Sequence, residues 1–415
     1  MKYTDNRKRS SYILIKAISA LSLVLFMVCF CMMIITFTVN YFSDTNTFKA
    51  FLNSLIYIPI LIAAISVHIL LRRKMKHYIS RSIRVKTGKQ YVLHIIVKVI
   101  AIGTGIFLIL IILLPYFALP MFLNRHVNYL GYVTDDFPLQ DIYQAKDFNL
   151  KENQMFLRTE DGLKVWVSEI TTTHPKAVII YLSGIVQPSV TYFYGHAKFM
   201  QDHGYASILL EVRGHGKSDG NRICLGYDEV KDVKAVVDYI NSQEIYKDVP
   251  IIVQGASMGG AIAVNSFGQI KDIDALIAMS AYSSFEDVIL DMMAGSGIPE
   301  FILSLEEPLI LSSLKLVYGS DKVTDIKPVE QIKNADGRSV LLMASTGDTE
   351  VPPVSMNRLK EAYPEAQSWL RDSWVHFIIK DCDFKNVEDD EEYWTKILNF
   401  LDKEVQMTNY GRKDK

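Results

Sequence analysis

The chain has little cysteine, almost no acid in its first 125 positions, and no charge within its longest apolar runs. Four cysteines in 415 residues, Cys29, Cys31, Cys224 and Cys382, supply neither a disulfide framework nor a Cys-x-x-Cys metal site. Residues 1–125 hold 16 Lys and Arg but only two acids, Asp5 and Asp44. The remainder holds 28 basic residues and 44 acids, so the formal net charge of −2 joins a part of +14 to a part of −16. An asymmetry of this size points to two environments rather than one core. Intrinsic disorder is excluded for most of the chain by an apolar content of 49%. A nucleic-acid role is disfavoured, because the basic residues are confined to an apolar N-terminal part.

What that part does contain is three apolar segments, Ala17–Val39, Ser54–Leu71 and Val99–Leu119, with no Asp, Glu, Lys or Arg inside them. Crossing a hydrocarbon core takes roughly 17–25 residues, and each segment is about that long. Lys16 and Lys98 sit at the edges, where they can snorkel. A buried core helix would show a polar face, and these show almost none. A cleaved signal peptide would be shorter and end on small residues, whereas the first segment closes on Ile34, Ile35 and Phe37. The expectation is therefore a membrane anchor over 1–125 with three transmembrane helices, about 17–39, 54–71 and 99–119.

Orientation follows from the cations in short loops, because Lys and Arg resist translocation. Lys2, Arg7, Lys8 and Arg9 precede the first segment, and Arg72, Arg73, Lys74, Lys76, Arg81, Arg84, Lys86 and Lys89 lie between the second and third. The loop from Asn40 to Asn53 holds only Lys49. This places the N-terminus in the cytoplasm and the rest of the chain, after three crossings, on the outer face of the plasma membrane. Anionic headgroups are the expected partners of the basic loop.

From about Asn149 the pattern changes to short apolar runs separated by amphipathic stretches, as in an α/β fold with a mostly parallel sheet covered by helices. Met155–Thr159 and Lys164–Ile170, joined at Asp161-Gly162, read as a hairpin. Ala177–Leu182, Ser207–Val212, Ile251–Gln254, Ala275–Met279 and Val340–Ala344 read as buried strands, and Glu229–Asn241 as a helix with valines at helical spacing. Residues 126–148 read as a linker, 149–405 as one domain and 406–415 as a polar tail. Glu388–Leu401 reads as a C-terminal helix with acids in its first turn.

Within that domain Ile251–Gln254 runs into Gly255-Ala-Ser257-Met-Gly259-Gly260 and then into a helix-forming stretch. A strand, Gly-x-Ser-x-Gly and a helix together make a turn so tight that only small residues fit beside it, which exposes the serine oxygen at a helix N-terminus. A serine hydroxyl needs a base, and the base needs an acid to fix its tautomer. Of nine histidines only His376 follows Ser257, which makes it the base in a chain ordered nucleophile, acid, base. Asp348, just after the Val340–Ala344 strand, is the preferred acid. Glu350 is its rival, and Asp372 is too close to His376 in sequence.

These residues resemble the α/β-hydrolase superfamily, and within it the monoacylglycerol-lipase-like and serine-aminopeptidase-like branch. The resemblance covers about residues 150–402. It rests on the elbow Gly255–Gly260, on Glu211-Val-Arg213-Gly-His215-Gly-Lys-Ser-Asp-Gly220, and on Gly347-Asp348-Thr-Glu-Val351-Pro352. It implies an oxyanion hole made by the backbone N–H groups of Met258 and Ile185, and no metal or organic cofactor. This chain has Ser183-Gly184 where the family usually has His-Gly, a change that leaves the backbone donor in place. The 213–220 loop is expected to be structural, with His215 not the base. Residues 281–338 are longer than a simple crossover needs and rich in apolar side chains; in the resembling family such an insertion is a lid, and a plain packing helix pair is the other reading.

The expected function is a membrane-anchored serine hydrolase that cleaves an ester of an acyl or other hydrophobic substrate through Ser257, His376 and Asp348. A peptidase, amidase or acyltransferase on the same triad is the alternative, and a non-catalytic membrane-anchored binding module a further one.

Overall fold

The computed structural model describes residues 112–127, 143–187 and 189–413, with side chains through residue 403, and before these only positions 19, 22, 23, 66, 68–73, 103 and 105. The chain divides into two compact units, Met1–Ala118 and Leu119–Lys415. In the first unit the described positions are helical, and the His68 ring donates from Nδ1 to the carbonyl of Ser19 at 2.9 Å. Most of the three apolar segments lies outside the described residues. Among the described residues no helix is long and apolar enough to cross a membrane.

The second unit is built on an eight-stranded sheet of order β1-β2-β4-β3-β5-β6-β7-β8. Its strands are β1 (Asn153–Arg158), β2 (Lys164–Ile170), β3 (Val178–Leu182), β4 (Ala206–Leu210), β5 (Ile251–Ala256), β6 (Ala275–Met279), β7 (Ser339–Ser345) and β8 (Gln367–Arg371). β1 and β2 form the hairpin, β2 runs antiparallel to β4, and all pairs from β4 to β8 are parallel. The central strands are buried along their whole length, which is why they read as unbroken apolar runs. β8 lacks that signature: it is an edge strand whose residues are exposed or half-buried.

Because successive side chains point to opposite faces, the central strands split their residues between two cores. Val178, Ile180 and Leu182 of β3 join Ile251 and Val253 of β5 and Val340 and Leu342 of β7 on one face. Ile179, Tyr181, Ile252, Ile277, Leu341 and Met343 form the other.

Helices cover both faces. α1 (Tyr194–Asp202) lies on the second core, while α2 (Val230–Ser242) and α3 (Met258–Gln269) lie on the first. Residues 281–338 form α4 (Phe285–Gly295), α5 (Glu300–Tyr318), α6 (Ser320–Asp325) and α7 (Pro328–Gln331). α8 (Val354–Ala362) follows β7, and α9 (Glu391–Lys413) closes the second core with Tyr393, Trp394, Ile397, Phe400 and Leu401.

Candidate active site

Ser257 sits at the C-terminal end of β5, where the strand turns directly into α3. Its backbone is forced into φ 57°, ψ −121°, a region that residues with side chains rarely occupy. The Ser257 N–H donates to the Met279 carbonyl at 2.9 Å, tying the turn to β6. Two glycines make this geometry possible. A Cβ on Gly255 would lie 2.1 Å from the Gly259 carbonyl oxygen, and one on Gly259 would lie 2.3 Å from the Leu182 oxygen and 2.6 Å from that of Ser183. Met258 is the first residue of α3, so its N–H has no partner within the helix and points out of the helix start.

His376 and Asp348 reach the same end of the sheet from separate loops. Asp348 follows β7, and its Oδ1 accepts from the N–H groups of Glu350 and Val351, each at 2.9 Å. Its Oδ2 lies 2.7 Å from His376 Nδ1, and its side chain is wholly buried. Charge on His376 is opposed by burial, but the hydrogen bond and charge of Asp348, with the charge of Glu350, outweigh this and raise its pKa above the ordinary value. Glu350 approaches the other ring nitrogen, Oε2 to Nε2 at 3.9 Å, from an exposed position. Of the two acids weighed from sequence, the structure sets Asp348 against Nδ1 and Glu350 on the opposite side of the ring. Asp372 instead accepts from the Thr346 hydroxyl at 3.1 Å.

The two loops are laced to each other and to the sheet. Gly347 N–H donates to the Ser373 carbonyl at 2.8 Å, the Ser345 hydroxyl to the Val375 carbonyl at 2.6 Å, and the Ser280 hydroxyl to the carbonyl of His376 itself. Arg371, at the end of β8, holds the far side of the His376 loop through the Ile378 carbonyl at 2.8 Å and through Asp390. His376 Nε2 is buried and has no hydrogen-bond partner among the described residues.

Ile185 follows β3 in the loop Ser183-Gly184-Ile185. The Gly184 N–H donates to the Tyr192 hydroxyl at 3.3 Å, and the Ile185 carbonyl lies 2.8 Å from His215 Nε2. The 211–220 motif is held by buried charge. Arg213 bridges Asp161 at 2.8 Å and Asp232 at 2.7 Å, while Glu211 accepts from the Ser189 hydroxyl at 2.6 Å and the Lys217 N–H at 2.5 Å. In sequence His215 reads only as part of a structural loop and not as the base. Its contact with Ile185 joins side chain to backbone across 30 positions and leaves no trace in local pattern. Among the described residues no group of His, Cys, Asp and Glu could hold a metal ion.

The profile of the family described as Serine aminopeptidase, S33, matches residues 173–305, which include β3, the elbow and part of the helical insertion. Bem46 of Schizosaccharomyces pombe is 25% identical over 211 residues, 46% of this chain and 67% of its own length. RutD of Agrobacterium fabrum, named for carbamate hydrolysis, is 22% identical over 263 residues, 55% of this chain and 95% of its own. Among solved structures, the esterase Pf2001 of Pyrococcus furiosus is similar at a TM-score of 0.49 and 22% identity, over 64% of this chain and 97% of that one. The fold is that of the α/β hydrolases, and the chain is an enzyme of the serine-hydrolase type.

Proposed function

We propose that the protein is a membrane-anchored serine hydrolase that cleaves an ester bond in an acyl or other hydrophobic substrate. The observation that carries the catalytic reading is the buried 2.7 Å contact between His376 Nδ1 and Asp348 Oδ2, on the same sheet end as a serine in the strained elbow. Asp348 accepts a hydrogen bond from Nδ1–H, which holds the tautomer that leaves Nε2 free as the base. Nε2 takes the Ser257 proton as Oγ attacks the substrate carbonyl. The tetrahedral oxyanion is received by the N–H groups of Met258 and Ile185, of which each donor contributes about 3–4 kcal/mol by analogy with other hydrolases. His376 then protonates the leaving alcohol, and a water activated by the same nitrogen releases the acid and restores Ser257.

Residues 281–338 act in this reading as a lid. α5 turns Ile310, Leu314 and Tyr318 inward, while Phe301, Leu305 and Leu316 stay exposed. An apolar lid supports a substrate with an acyl or similar tail. The S33 family name keeps amide bonds as a second substrate class. The anchor reading rests on the three apolar segments. It is further supported by the helix over 112–123, whose Ile112, Leu113, Leu114, Phe117 and Met121 are exposed just ahead of Arg125. The test is turnover of p-nitrophenyl esters of graded chain length, beside matched anilides. Ester hydrolysis lost in His376→Ala and strongly reduced in Asp348→Asn supports the assignment; full turnover in His376→Ala contradicts it.

A further inference from the structure

Two histidines meet at the 213–220 loop: His215, which reaches from it to the Ile185 carbonyl, and His126, whose ring contacts carbonyls of the loop itself. His215 is buried, and its ring spans two carbonyls, Ile185 at 2.8 Å from Nε2 and Arg213 at 3.1 Å from Nδ1. Burial lowers its pKa, so the ring is neutral near pH 7 and carries one N–H. The shorter contact assigns that hydrogen to Nε2, which donates to Ile185. Ile185 has no strand ladder to hold it and follows a glycine. It is bracketed by two bonds, Gly184 N–H to Tyr192 before it and its own carbonyl to His215 after it.

The loop that carries His215 is itself strapped from outside. Val127 makes a parallel bridge to His215: its N–H donates to the Gly214 carbonyl at 2.7 Å, and its carbonyl accepts from Gly216 N–H at 2.8 Å. His126 ring nitrogens lie 2.7 Å from the Gly220 carbonyl and 3.0 Å from that of Gly216. The Leu123 carbonyl accepts from Ile223 N–H at 2.9 Å. Residues 124–127 directly follow the helix over 112–123, so the opening segment of the second unit is built into the loop behind Ile185.

We propose that His215 is a positioning residue of the reaction: through the Ile185 carbonyl it aims the Ile185 N–H at the oxyanion, and the 126–127 strap holds His215 in place to do so. This rests on the reading of Ile185 as an oxyanion donor. A glutamine amide nitrogen can replace Nε2, whereas an asparagine amide reaches only as far as Nδ1. His215→Gln and His215→Asn therefore separate the two ring contacts in variants of similar polarity.

The experiment uses the full chain in detergent, with p-nitrophenyl butyrate as substrate and a trifluoromethyl ketone as mimic of the tetrahedral oxyanion. His215→Asn is expected to lose about tenfold or more in kcat with KM nearly unchanged, less than the roughly 10²–10³-fold loss on deleting a whole donor. Ketone affinity should fall in step, and His215→Gln should recover most of both. His126→Leu, which loosens the strap, should give a smaller loss of the same kind. Equal losses in the Gln and Asn variants, wild-type kcat in the Asn variant, or an unchanged ketone affinity beside a fallen kcat would each overturn the proposal. Ser257→Ala is the control: turnover that survives it refutes the hydrolase reading itself rather than the role of His215.

Discussion

Glu350 and Asp348 flank one imidazole and do different things to it. Asp348 is buried against Nδ1, while Glu350 is exposed near Nε2, where its charge favours the protonated ring. In the proposed mechanism His376 must be neutral to accept the serine proton, so turnover should rise as pH climbs through its raised pKa. Glu350→Gln removes part of what raises that pKa and should move the acid limb of the kcat/KM profile to lower pH. Because Glu350 is exposed, the shift should be small and shrink in high salt. A limb that stays in place or moves upward would assign Glu350 no part in tuning the base. Asp348→Asn should act on the tautomer instead, with a kcat loss approaching about 10⁴ in the comparable case. At this scale Ser257, His376 and Asp348 were legible as candidates, because strand, elbow and chain order single out each of them, and the structure sets the last two in contact. The sides of the ring taken by Asp348 and Glu350 were not, since both lie in one loop two positions apart.

The elements around the site depend on a few close approaches. Gly259→Ala would set a methyl against the Leu182 and Ser183 carbonyl oxygens, which are backbone and cannot swing aside. The expected result is a destabilisation of about 1–3 kcal/mol by overpacking, together with lower activity because the displaced strand end carries Ser183–Ile185. Thermal unfolding and ester turnover on the same variant check both. On the other side of the sheet, Arg371 and Asp390 form a nearly buried pair that also takes up the Lys380 N–H at 2.8 Å. Burial works against the charge on Asp390, but Arg371 and the backbone N–H groups of Lys380 and Tyr393 outweigh it and lower its pKa.

A depressed carboxylate pKa contributes stability that is present above the unfolded value, about 3.9 for Asp, and lost as pH falls through the folded one. Asp390→Ala should cost up to about 3–5 kcal/mol near neutral pH, because it leaves the nearly buried Arg371 with only the exposed Glu392 at 3.5 Å. That deficit should narrow as pH drops below about 4, and denaturant unfolding at several pH values measures it. A deficit that does not change with pH would assign the loss to packing. The core strands were legible as apolar runs because both of their faces are covered. β8 was not, since Gln367 and Ser368 sit exposed on an edge where one side needs no apolar cover. The insertion was legible as apolar, but its division into α4 to α7 was not, because leucine and methionine stripes fit one long helix or several short ones.

For the molecule as a whole, the opposed charges of the two parts of the chain are the basis of the proposed topology. The +14 is concentrated in the N-terminal segment and the 72–89 loop, and the −16 in the part that carries the hydrolase fold. Protease added to intact cells should digest the C-terminal unit without lysis; protection until lysis would reverse the proposed orientation. The proposed chemistry turns on one serine in the β5 elbow acting as the nucleophile. Fluorophosphonate labelling of the full-length protein, with the adduct located by peptide mass spectrometry, tests it most directly. A single adduct on Ser257 is expected, forming slowly in His376→Ala and not at all in Ser257→Ala; undiminished labelling of Ser257→Ala, or an adduct elsewhere, would rule out Ser257 as the nucleophile.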